Sequence, residues 1–556
     1  MAQKKEMRKK AQRRAPRPKG ILWDRIELAV GLLAVLSIAA LHLRVMLRAG
    51  ALWRDEVSTV NLACKPTLGD FWHNLVFDPF PGLYFMTVRV WAATGWGGSD
   101  AGLRLLGFLV GLAILGALCW NARVIGLRFP FVSLLLLGFN PVVIRWGDSV
   151  RAYGLGTALI LLTFGCIWRM IQSPTMPGIA LAAIAAILSV QCMYQNTVLL
   201  FSICLGAIAI CARKAQWKRA LLPLAVGLAA ALSLPPYIGV LRKAQDWTML
   251  MKPPQVDFER FWQILSEAMS QPIPFAFWIW VILTAIALFA ALQEHLDGTA
   301  SDDFPRRRDL ALFGAISLLT GLATFLTFLR IAGVPTQVWY YIPLLSFAAL
   351  SLDTALAPTL NGGSARKWKL AIFVLISAFL AVPTWRALEA RQTGIDRIAG
   401  ELSRRVTAQD LVLISPWYLG ITFQRYYTGS AVWVTVPPID DLSIHRWDLL
   451  KAKMVSHDTI DPALQSIERT LKSGNRLWLV WSFSPLPKGT DPPTLPPAPE
   501  SRWGWISDVY VEVWTLQANH FIETHQLQRE EIEISPQSPI NPFEDLSVEV
   551  ASGWIP

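Results

Sequence analysis

Long apolar runs alternate with short polar segments along the first two thirds of the chain. A run of about 20 apolar residues is long enough for an α-helix to cross roughly 30 Å of hydrocarbon. Soluble proteins do not repeat such runs, so the pattern predicts a polytopic α-helical membrane protein. Eleven spans are expected, at residues 26–47, 102–120, 130–145, 153–170, 178–194, 197–212, 220–238, 275–293, 310–330, 340–357 and 369–386.

Two of the polar connections are long. Residues 48–101 contain three apolar-aromatic stretches that are too short to span a bilayer, at Val57–Ala63, Leu68–Val76 and Leu83–Trp91. These stretches predict short helices that lie in the plane of the membrane surface. The second connection, Gly239–Pro274, carries several charged residues and two Trp. It is expected either to fold over the mouth of a cavity or to be a solvated connector.

From residue 388 onward the pattern changes to that of a soluble α/β domain. Val509–Leu516 alternates apolar and polar positions, as a half-buried strand does. Pro485–Pro499 holds seven prolines and predicts an extended loop. Further helices are predicted at Ile395–Val406 and Leu464–Leu471, and further strands at Leu411–Ile414 and Leu477–Phe483.

Basic residues are unevenly distributed, which predicts the orientation of the chain. The 556 residues carry a net charge of +11, and nine Lys or Arg lie within Met1–Lys19. From Arg386 onward there are 15 Lys or Arg against 21 Asp or Glu. Alternate connections are basic on the side of the N-terminus, which places that end in the cytoplasm and, with an odd number of spans, the C-terminus outside. This distribution argues against nucleic acid as a partner.

The chain is therefore expected to have three parts. Residues 1–25 form a basic cytoplasmic tail, and residues 26–387 form a transmembrane domain whose first outer loop is 48–101. Residues 388–556 form a soluble extracytoplasmic α/β domain. The six cysteines show neither a metal-binding nor a disulfide pattern.

Charged groups stand directly after the first span, in the sequence Arg54-Asp55-Glu56. Ionised side chains at that depth are costly and usually face a wet cavity. Alternatively, these three residues mark the end of a helix at the lipid headgroups. Asp78 lies later in the same loop, before Pro79, where it either takes part in acid–base chemistry or begins a turn.

Cationic and aromatic groups come from other connections. Arg151 and Tyr153 introduce the fourth span, Arg330 ends the ninth, and Tyr340 begins the tenth. A carboxylate beside an acceptor hydroxyl can act as a general base, and guanidinium groups stabilise a departing phosphate. The arrangement suits chemistry on a lipid phosphate. Tyr340 also fits the aromatic belt of any membrane protein.

Three motifs together resemble a known family: the acidic pair Asp55-Glu56, the stretch Asp78–Tyr84, and the Arg-x-Tyr of Arg151 and Tyr153. They are similar to the bacterial branch of the GT-C membrane glycosyltransferases, relatives of the protein O-mannosyltransferases (glycosyltransferase family 39) and of the lipid A aminoarabinose transferase. The resemblance covers roughly residues 53–162.

The resemblance implies transfer of a sugar from a polyprenyl-phosphate carrier, with inversion, on the outer face of the membrane. It implies that Asp55 is the catalytic base and Glu56 its neighbour, with Arg151, Tyr153 and Tyr340 at the donor phosphate. Arg330 is a candidate to replace the phosphate cation that relatives often have at position 339, and Asp78 is a further catalytic candidate. The sequence departs from the family at Phe80, where a histidine is usual, at Gly82, where a proline is usual, and at Trp339, where an arginine is frequent.

The predicted function is that of a hexosyl or pentosyl transferase in the cell inner membrane. Its partners would be a polyprenyl-phosphate sugar and a lipid, protein or polysaccharide acceptor. No cofactor and no metal ligands are predicted, and the need for a divalent metal is left open. The alternatives are a transporter or flippase for a lipid-linked sugar, which needs no base, and a non-catalytic protein of envelope polysaccharide assembly. A transporter would show internal repeats, and no repeat is visible.

Overall fold

A computed structural model describes residues 19–78, 80–248, 258–296, 304–332, 336–360, 363–481, 486–487, 489–499, 506–534 and 538–556. Most of the predicted basic tail lies outside these residues, as does part of the proline-rich stretch. The chain up to residue 387 is helical. In order, its helices are α1 (Lys19–Arg48), α2 (Arg54–Ala63), α3 (Leu68–Asn74), α4 (Gly82–Ala93), α5 (Asp100–Ile125), α6 (Phe131–Gly138), α7 (Pro141–Gly147), α8 (Ala152–Gln172), α9 (Met176–Cys192), α10 (Asn196–Arg213), α11 (Trp217–Ala231), α12 (Ile238–Thr248), α13 (Phe258–Met269), α14 (Phe275–Leu296), α15 (Phe304–Ala332), α16 (Ile342–Leu360) and α17 (Gly363–Ala387).

The helices confirm a multi-pass membrane protein. Among the described residues, nine helical segments are long and apolar enough to cross a bilayer. They are α1, α5, α8, α10, α11 continued into α12, α14, α15, α16 and α17. The predicted span 178–194 is the shorter helix α9, with 17 residues. The number of crossings therefore stays a prediction.

The predicted span 130–145 is divided between two short helices, α6 and α7. Asn140 separates them, because its side-chain oxygen accepts hydrogen bonds from the N–H groups of Val142 and Val143 and so caps α7. Pro141 fits the first turn of α7, where no N–H is needed. Polar backbone at this break is tolerated because it is buried in protein: Asn140 is 1% exposed.

The connection at residues 48–101, here called the first loop segment, folds into α2, α3 and α4, as its three apolar stretches predict. Thr67 and Asp70 form a capping box that begins α3. α2 and α4 pack against each other. One arginine, Arg89, joins the end of α2 to the turn that follows it, through hydrogen bonds to the carbonyl groups of Ala63 and Lys65.

The chain beyond residue 387, here called the C-terminal domain, confirms the predicted α/β class. Its helices are α18 (Ile395–Arg405), α19 (Leu419–Tyr426), α20 (Trp447–Val455), α21 (Asp461–Lys472) and α22 (Ser507–His525), and its strands are β1 (Leu411–Ser415), β2 (Val432–Thr435), β3 (Leu477–Trp481), β4 (Gln528–Glu531) and β5 (Ser547–Ser552). The sheet has the order β2-β1-β3-β5-β4. β2, β1 and β3 are parallel, whereas β5 is antiparallel to both β3 and β4.

The prediction of a strand at Val509–Leu516 is wrong, because these residues lie in helix α22. Val511, Trp514, Ala518 and Ile522 are buried and recur every three or four residues, which is the spacing of one helix face. The local alternation of apolar residues hid this longer period. The other predicted strands and helices of the C-terminal domain are confirmed, and the last two residues of the predicted strand Leu477–Phe483 lie outside the described residues.

The C-terminal domain packs directly on the first loop segment. Asn61 of α2 donates a hydrogen bond to the Ser443 carbonyl group at 2.7 Å. At the start of α5, Asp100 pairs with Arg425 at 2.7 Å. These contacts place the C-terminal domain over the end of the helical bundle where α2 lies.

The predicted orientation can be tested by labelling introduced cysteines. Lys218 and Asp458 are exposed, the first in the first turn of α11 and the second in the C-terminal domain. In a background with the exposed Cys64 replaced by Ser, we expect K218C and D458C to react with a membrane-impermeant maleimide from opposite sides of the membrane. Labelling of both cysteines in intact cells would contradict an odd number of crossings between the two sites.

Candidate active site

Helix α2 begins at the junction between the membrane bundle and the C-terminal domain. The residue before it, Trp53, is buried and packs against Trp146 and Trp339, with ring centroids 5.1 and 5.6 Å away. The N–H of Trp53 donates to the Glu56 carboxylate at 3.2 Å, which closes the first turn of the helix. This anchoring fixes the direction in which Asp55 and Glu56 leave the helix.

Glu56 points into the protein and is fully buried. Its carboxylate forms a two-pronged ion pair with Arg104 of α5, at 2.5 and 2.8 Å. It also accepts the backbone N–H of Val150 at 2.9 Å. Arg104 further donates to the carbonyl groups of Gly50 and Ala51. These hydrogen bonds connect α5 to the turn before α2 and to the turn before α8. This favours a structural role for Glu56.

Asp55 leaves the helix in a different direction, as neighbouring helical positions must. Its side chain is 22% exposed. The nearest charged or titratable groups are Arg54, with its Nε 3.8 Å from Oδ1, and His445 of the C-terminal domain, with its Nε2 3.5 Å from the same oxygen. Asp55 is thus a carboxylate without a tight ion pair among the described residues.

Arg151 stands immediately before α8 and is buried beneath α2. Its Nη1 donates to the Asp78 carboxylate at 2.7 Å, to the Thr59 hydroxyl at 2.6 Å and to the Asp55 carbonyl group at 3.3 Å. The guanidinium carbon lies 4.8 Å from the ring centroid of Phe80. The Nε–H is buried and has no hydrogen-bond partner among the described residues. One donor of a fixed guanidinium therefore remains available.

Asp78 holds Arg151 in place. Its Oδ2 accepts the hydrogen bond from Arg151, whereas its Oδ1 is buried and unpartnered in the described part of the chain. Burial raises the pKa of Asp78, and the attraction of Arg151 opposes that rise. The structure therefore brings Asp55, Asp78 and Arg151, which come from two separate loops, into one cluster.

Aromatic rings continue the cluster toward α16. Phe80 packs edge-on against Tyr153 at 5.1 Å, and Tyr153 packs edge-on against Tyr340 at 5.9 Å. Tyr153 and Tyr340 thus stand beside Arg151, as the prediction of a common site requires. Arg330 is exposed in the last turn of α15, and its role at a phosphate stays a prediction.

Each of the three departures from the family pattern has a packing role. Phe80 covers Arg151, as described, and Trp339 packs closely against Trp146, with ring centroids 4.3 Å apart and the ring planes tilted by 45°. The N–H of Gly82 donates to the Tyr237 hydroxyl at 3.1 Å, which a proline could not do. A side chain at position 82 would also meet that hydroxyl at 3.3 Å.

The C-terminal domain supplies groups that the sequence did not predict. Glu544 accepts the backbone N–H of Arg54 at 3.0 Å, and the Arg54 guanidinium lies 3.5 Å from the same carboxylate oxygen. Burial raises the pKa of Glu544 to about 7, against the attraction of Arg54. His445 is buried next to Asp55. Neither residue carries a local sequence signal that would connect it to α2.

The carboxylates of the cluster do not fit a metal site. Glu56 forms an ion pair with Arg104, and the Oδ2 of Asp78 forms an ion pair with Arg151. Among the described residues, no group of three or more His, Cys, Asp or Glu side chains is placed to hold a metal ion.

These features define a multi-pass helical protein whose spans end at a buried charged cluster covered by an α/β domain. No family model and no curated protein matches the sequence. Solved structures are similar in fold. ArnT from Cupriavidus metallidurans bound to undecaprenyl phosphate is 13% identical, with a TM-score of 0.44 over 84% of this chain and 93% of that one.

Two further solved structures are similar at low identity. The Archaeoglobus fulgidus oligosaccharyltransferase in complex with zinc and sulfate is 11% identical, with a TM-score of 0.46 over 80% of this chain and 67% of that one. The arabinosyltransferase EmbB from Mycobacterium smegmatis is 15% identical, with a TM-score of 0.33 over 65% and 40%. At these identities and TM-scores, the similarities assign neither a family nor an activity to this chain.

Proposed function

We propose that this protein is an inverting glycosyltransferase that uses a polyprenyl-phosphate-linked sugar. One observation carries the proposal. The partly exposed carboxylate of Asp55 lies at the start of α2, the same part of the helix that the buried Arg151 contacts. The backbone carbonyl group of Asp55 itself accepts a hydrogen bond from Arg151. A base and a phosphate-binding cation are thereby held at a fixed distance, where the spans end.

Asp55 is the group best placed to act as the base. It is the carboxylate of the cluster that has no tight ion pair among the described residues, so it can accept the proton of an acceptor hydroxyl. As that oxygen attacks the anomeric carbon, the bond from this carbon to the phosphate oxygen breaks. Attack from the face opposite the leaving phosphate inverts the configuration.

Arg151 would bind the phosphate that leaves. Its Nη1 is occupied by Asp78 and Thr59, and these contacts fix the plane of the guanidinium. The unpartnered Nε–H is then a preorganised donor for a phosphate oxygen. Asp78 acts in this proposal as the residue that orients Arg151. Tyr153 and Tyr340 would line the same phosphate site, and Arg330 remains a candidate for a second cation.

The proposal includes the setting in which the reaction takes place. The enzyme would lie in the cell inner membrane, with the tail at residues 1–25 in the cytoplasm and the domain at 388–556 outside. The transmembrane part at 26–387 would receive the lipid donor. The transferred group would be a hexosyl or pentosyl residue, and the acceptor a lipid, a protein or a polysaccharide. The chain needs no nucleotide site, because the donor is already a lipid phosphate.

Arg151→Ala tests the phosphate site. The variant should bind a polyprenyl-phosphate sugar about tenfold to a hundredfold more weakly, because a charge-assisted hydrogen bond contributes roughly 1.5–3 kcal/mol. Arg151→Lys should restore only part of the affinity, since an ammonium group keeps the charge and loses the planar fork. Binding is measured by titration of the purified protein with the donor.

The control is Arg404→Ala, which removes another paired arginine, one that lies on the exposed face of α18 in the C-terminal domain. It should leave donor binding unchanged. Unchanged affinity in Arg151→Ala would contradict the phosphate assignment. Normal donor binding by the unaltered protein without any transfer to a panel of acceptors would instead favour a transporter of lipid-linked sugars.

A further inference from the structure

A loop of the C-terminal domain reaches the carboxylate at the start of α2. The loop joins β2 to α20 and carries His445. The imidazole Nε2 lies 3.5 Å from Asp55 Oδ1, and the side chain is 10% exposed. His445 is therefore enclosed with Asp55 between the helical bundle and the C-terminal domain, although the two residues are far apart in sequence.

The loop is held rigidly in this place. Arg446 pairs with Asp441 at 2.5 Å and with Asp448 at 2.7 Å, so the guanidinium spans the base of the loop. The Ser443 carbonyl group accepts the hydrogen bond from Asn61, six residues after Asp55 on the same helix. The loop and α2 are thus fixed relative to each other by a contact that does not involve His445.

The ring of His445 is also fixed in orientation. It stacks on Trp447, with centroids 5.5 Å apart and an angle of 10° between the planes, and it meets Trp417 edge-on at 6.4 Å. These contacts leave the Nε2 edge turned toward Asp55. Besides Asp55, the charged groups that act on the imidazole are Arg54 and Arg151.

The surroundings keep the imidazole neutral. Burial lowers the pKa of His445 to about 4, with the two arginines adding to the effect and Asp55 opposing it. A neutral imidazole carries one N–H, and an ionised carboxylate facing Nε2 favours the tautomer with the proton on that nitrogen. Hydrogen bonds at catalytic groups are often long in the free enzyme and shorten when substrate binds.

We propose that His445 is a positioning residue for Asp55, supplied by the C-terminal domain, whose Nε2–H orients the carboxylate toward the acceptor hydroxyl. This rests on the proposed function, in which Asp55 is the base. The C-terminal domain thereby completes the active site instead of only capping it. Its loop between β2 and α20 is the element through which that domain controls transfer.

Two substitutions separate the N–H donor from the packing of the ring. His445→Phe keeps a ring to stack on Trp447 and removes the N–H, whereas His445→Gln keeps an N–H near the Nε2 position and removes the ring. We expect His445→Phe to lower kcat about tenfold to a hundredfold with the KM for the donor unchanged. His445→Gln should recover most of that loss.

The pH profile supplies a readout that a packing role would not change. Without the N–H donor, the carboxylate of Asp55 loses a hydrogen bond that favours its ionised form. The acidic limb of kcat/KM should move to higher pH in His445→Phe and stay near its original position in His445→Gln. His457→Phe, at an exposed histidine of the same domain, is the matched control and should change nothing.

A measurement without substrate separates this proposal from the proposed function. In the full-length protein labelled with ¹⁵N-histidine, the signals that disappear in His445→Phe identify His445 among seven histidines. We expect its Nε2 to be protonated and its shift to change in Asp55→Asn. An unprotonated Nε2, or wild-type kcat in His445→Phe, would overturn the positioning role. Absence of transfer by the unaltered protein, with the Nε2 signal as expected, would overturn the proposed function.

Discussion

Replacement of Asp55 by Asn is expected to lower the rate of sugar transfer by about 10²–10⁴-fold, the usual contribution of a general base. Asparagine keeps the size of the side chain and cannot accept the proton. Because Asp55 makes no tight ion pair among the described residues, its replacement should leave the fold and donor binding intact. Initial rates with a polyprenyl-phosphate sugar and thermal unfolding of the same preparations check both parts.

Asp545→Asn provides the control, since Asp545 is an exposed carboxylate next to Glu544 and should be replaceable without loss of rate. When the transfer rate is divided by the amount of folded protein, Glu56→Gln should lower it less than Asp55→Asn does. If Asp55→Asn transferred sugar normally while folded Glu56→Gln was inactive, the base would be Glu56. If both variants remained active, Asp78 would be the next candidate.

The buried pair of Glu56 and Arg104 is expected to dominate the stability of the site. Arg104→Ala would leave the Glu56 carboxylate buried without its partner, at a cost of about 3–5 kcal/mol in the free energy of unfolding. It would also leave the carbonyl groups of Gly50 and Ala51 without their donor. Thermal or denaturant unfolding in detergent measures the change.

A double variant distinguishes the loss of a partner from the loss of a charge. Glu56→Gln combined with Arg104→Met removes both charges and keeps an acceptor for the Val150 N–H, so it should be more stable than Arg104→Ala alone. Lys472→Ala, which removes one partner of an exposed ion pair, should have no measurable effect. Equal stability of Arg104→Ala and the unaltered protein would show that the pair is dispensable.

The sequence predicted the membrane part of the fold well because a bilayer imposes a simple rule on composition. A span must be apolar over its whole length, so α1, α5 and α8 could be located from hydrophobic runs alone. The same rule does not say whether a run is one helix. The break at Asn140 depends on the capping of α7 by a side chain, and such a break is tolerated within the membrane part because the surrounding protein buries it.

The candidate site was predictable in part for a related reason. Charges at the ends of apolar runs are costly, which is why Asp55, Asp78 and Arg151 stand out in the sequence. Arg104 carried a similar signal, because it is a charged residue within the predicted span 102–120 and must have a partner. Which carboxylate it takes depends on the packing of α5 against the turn before α2, and no local pattern contains that information.

The contributions of the C-terminal domain could not be predicted at all. His445 and Glu544 lie in loops whose positions are set by the docking of the whole domain. Helix α22 was also missed in the sequence. The helical spacing of its apolar residues can be recognised only when it is known which face is buried. Long-range packing decided all three cases.

The hydrogen bond between the Arg54 N–H and Glu544 joins residues that are 490 positions apart. During synthesis, the N-terminal part of a chain emerges and folds first. Asp55, Arg104 and Arg151 would therefore be inserted into the membrane long before the ribosome reaches Glu544. Closure of the site is thus a late step of folding, and a chain that has not yet reached Glu544 would hold its carboxylate and its arginine without the domain that encloses them. Under the proposed function, reaction with lipid carriers would begin only after the C-terminal domain has docked.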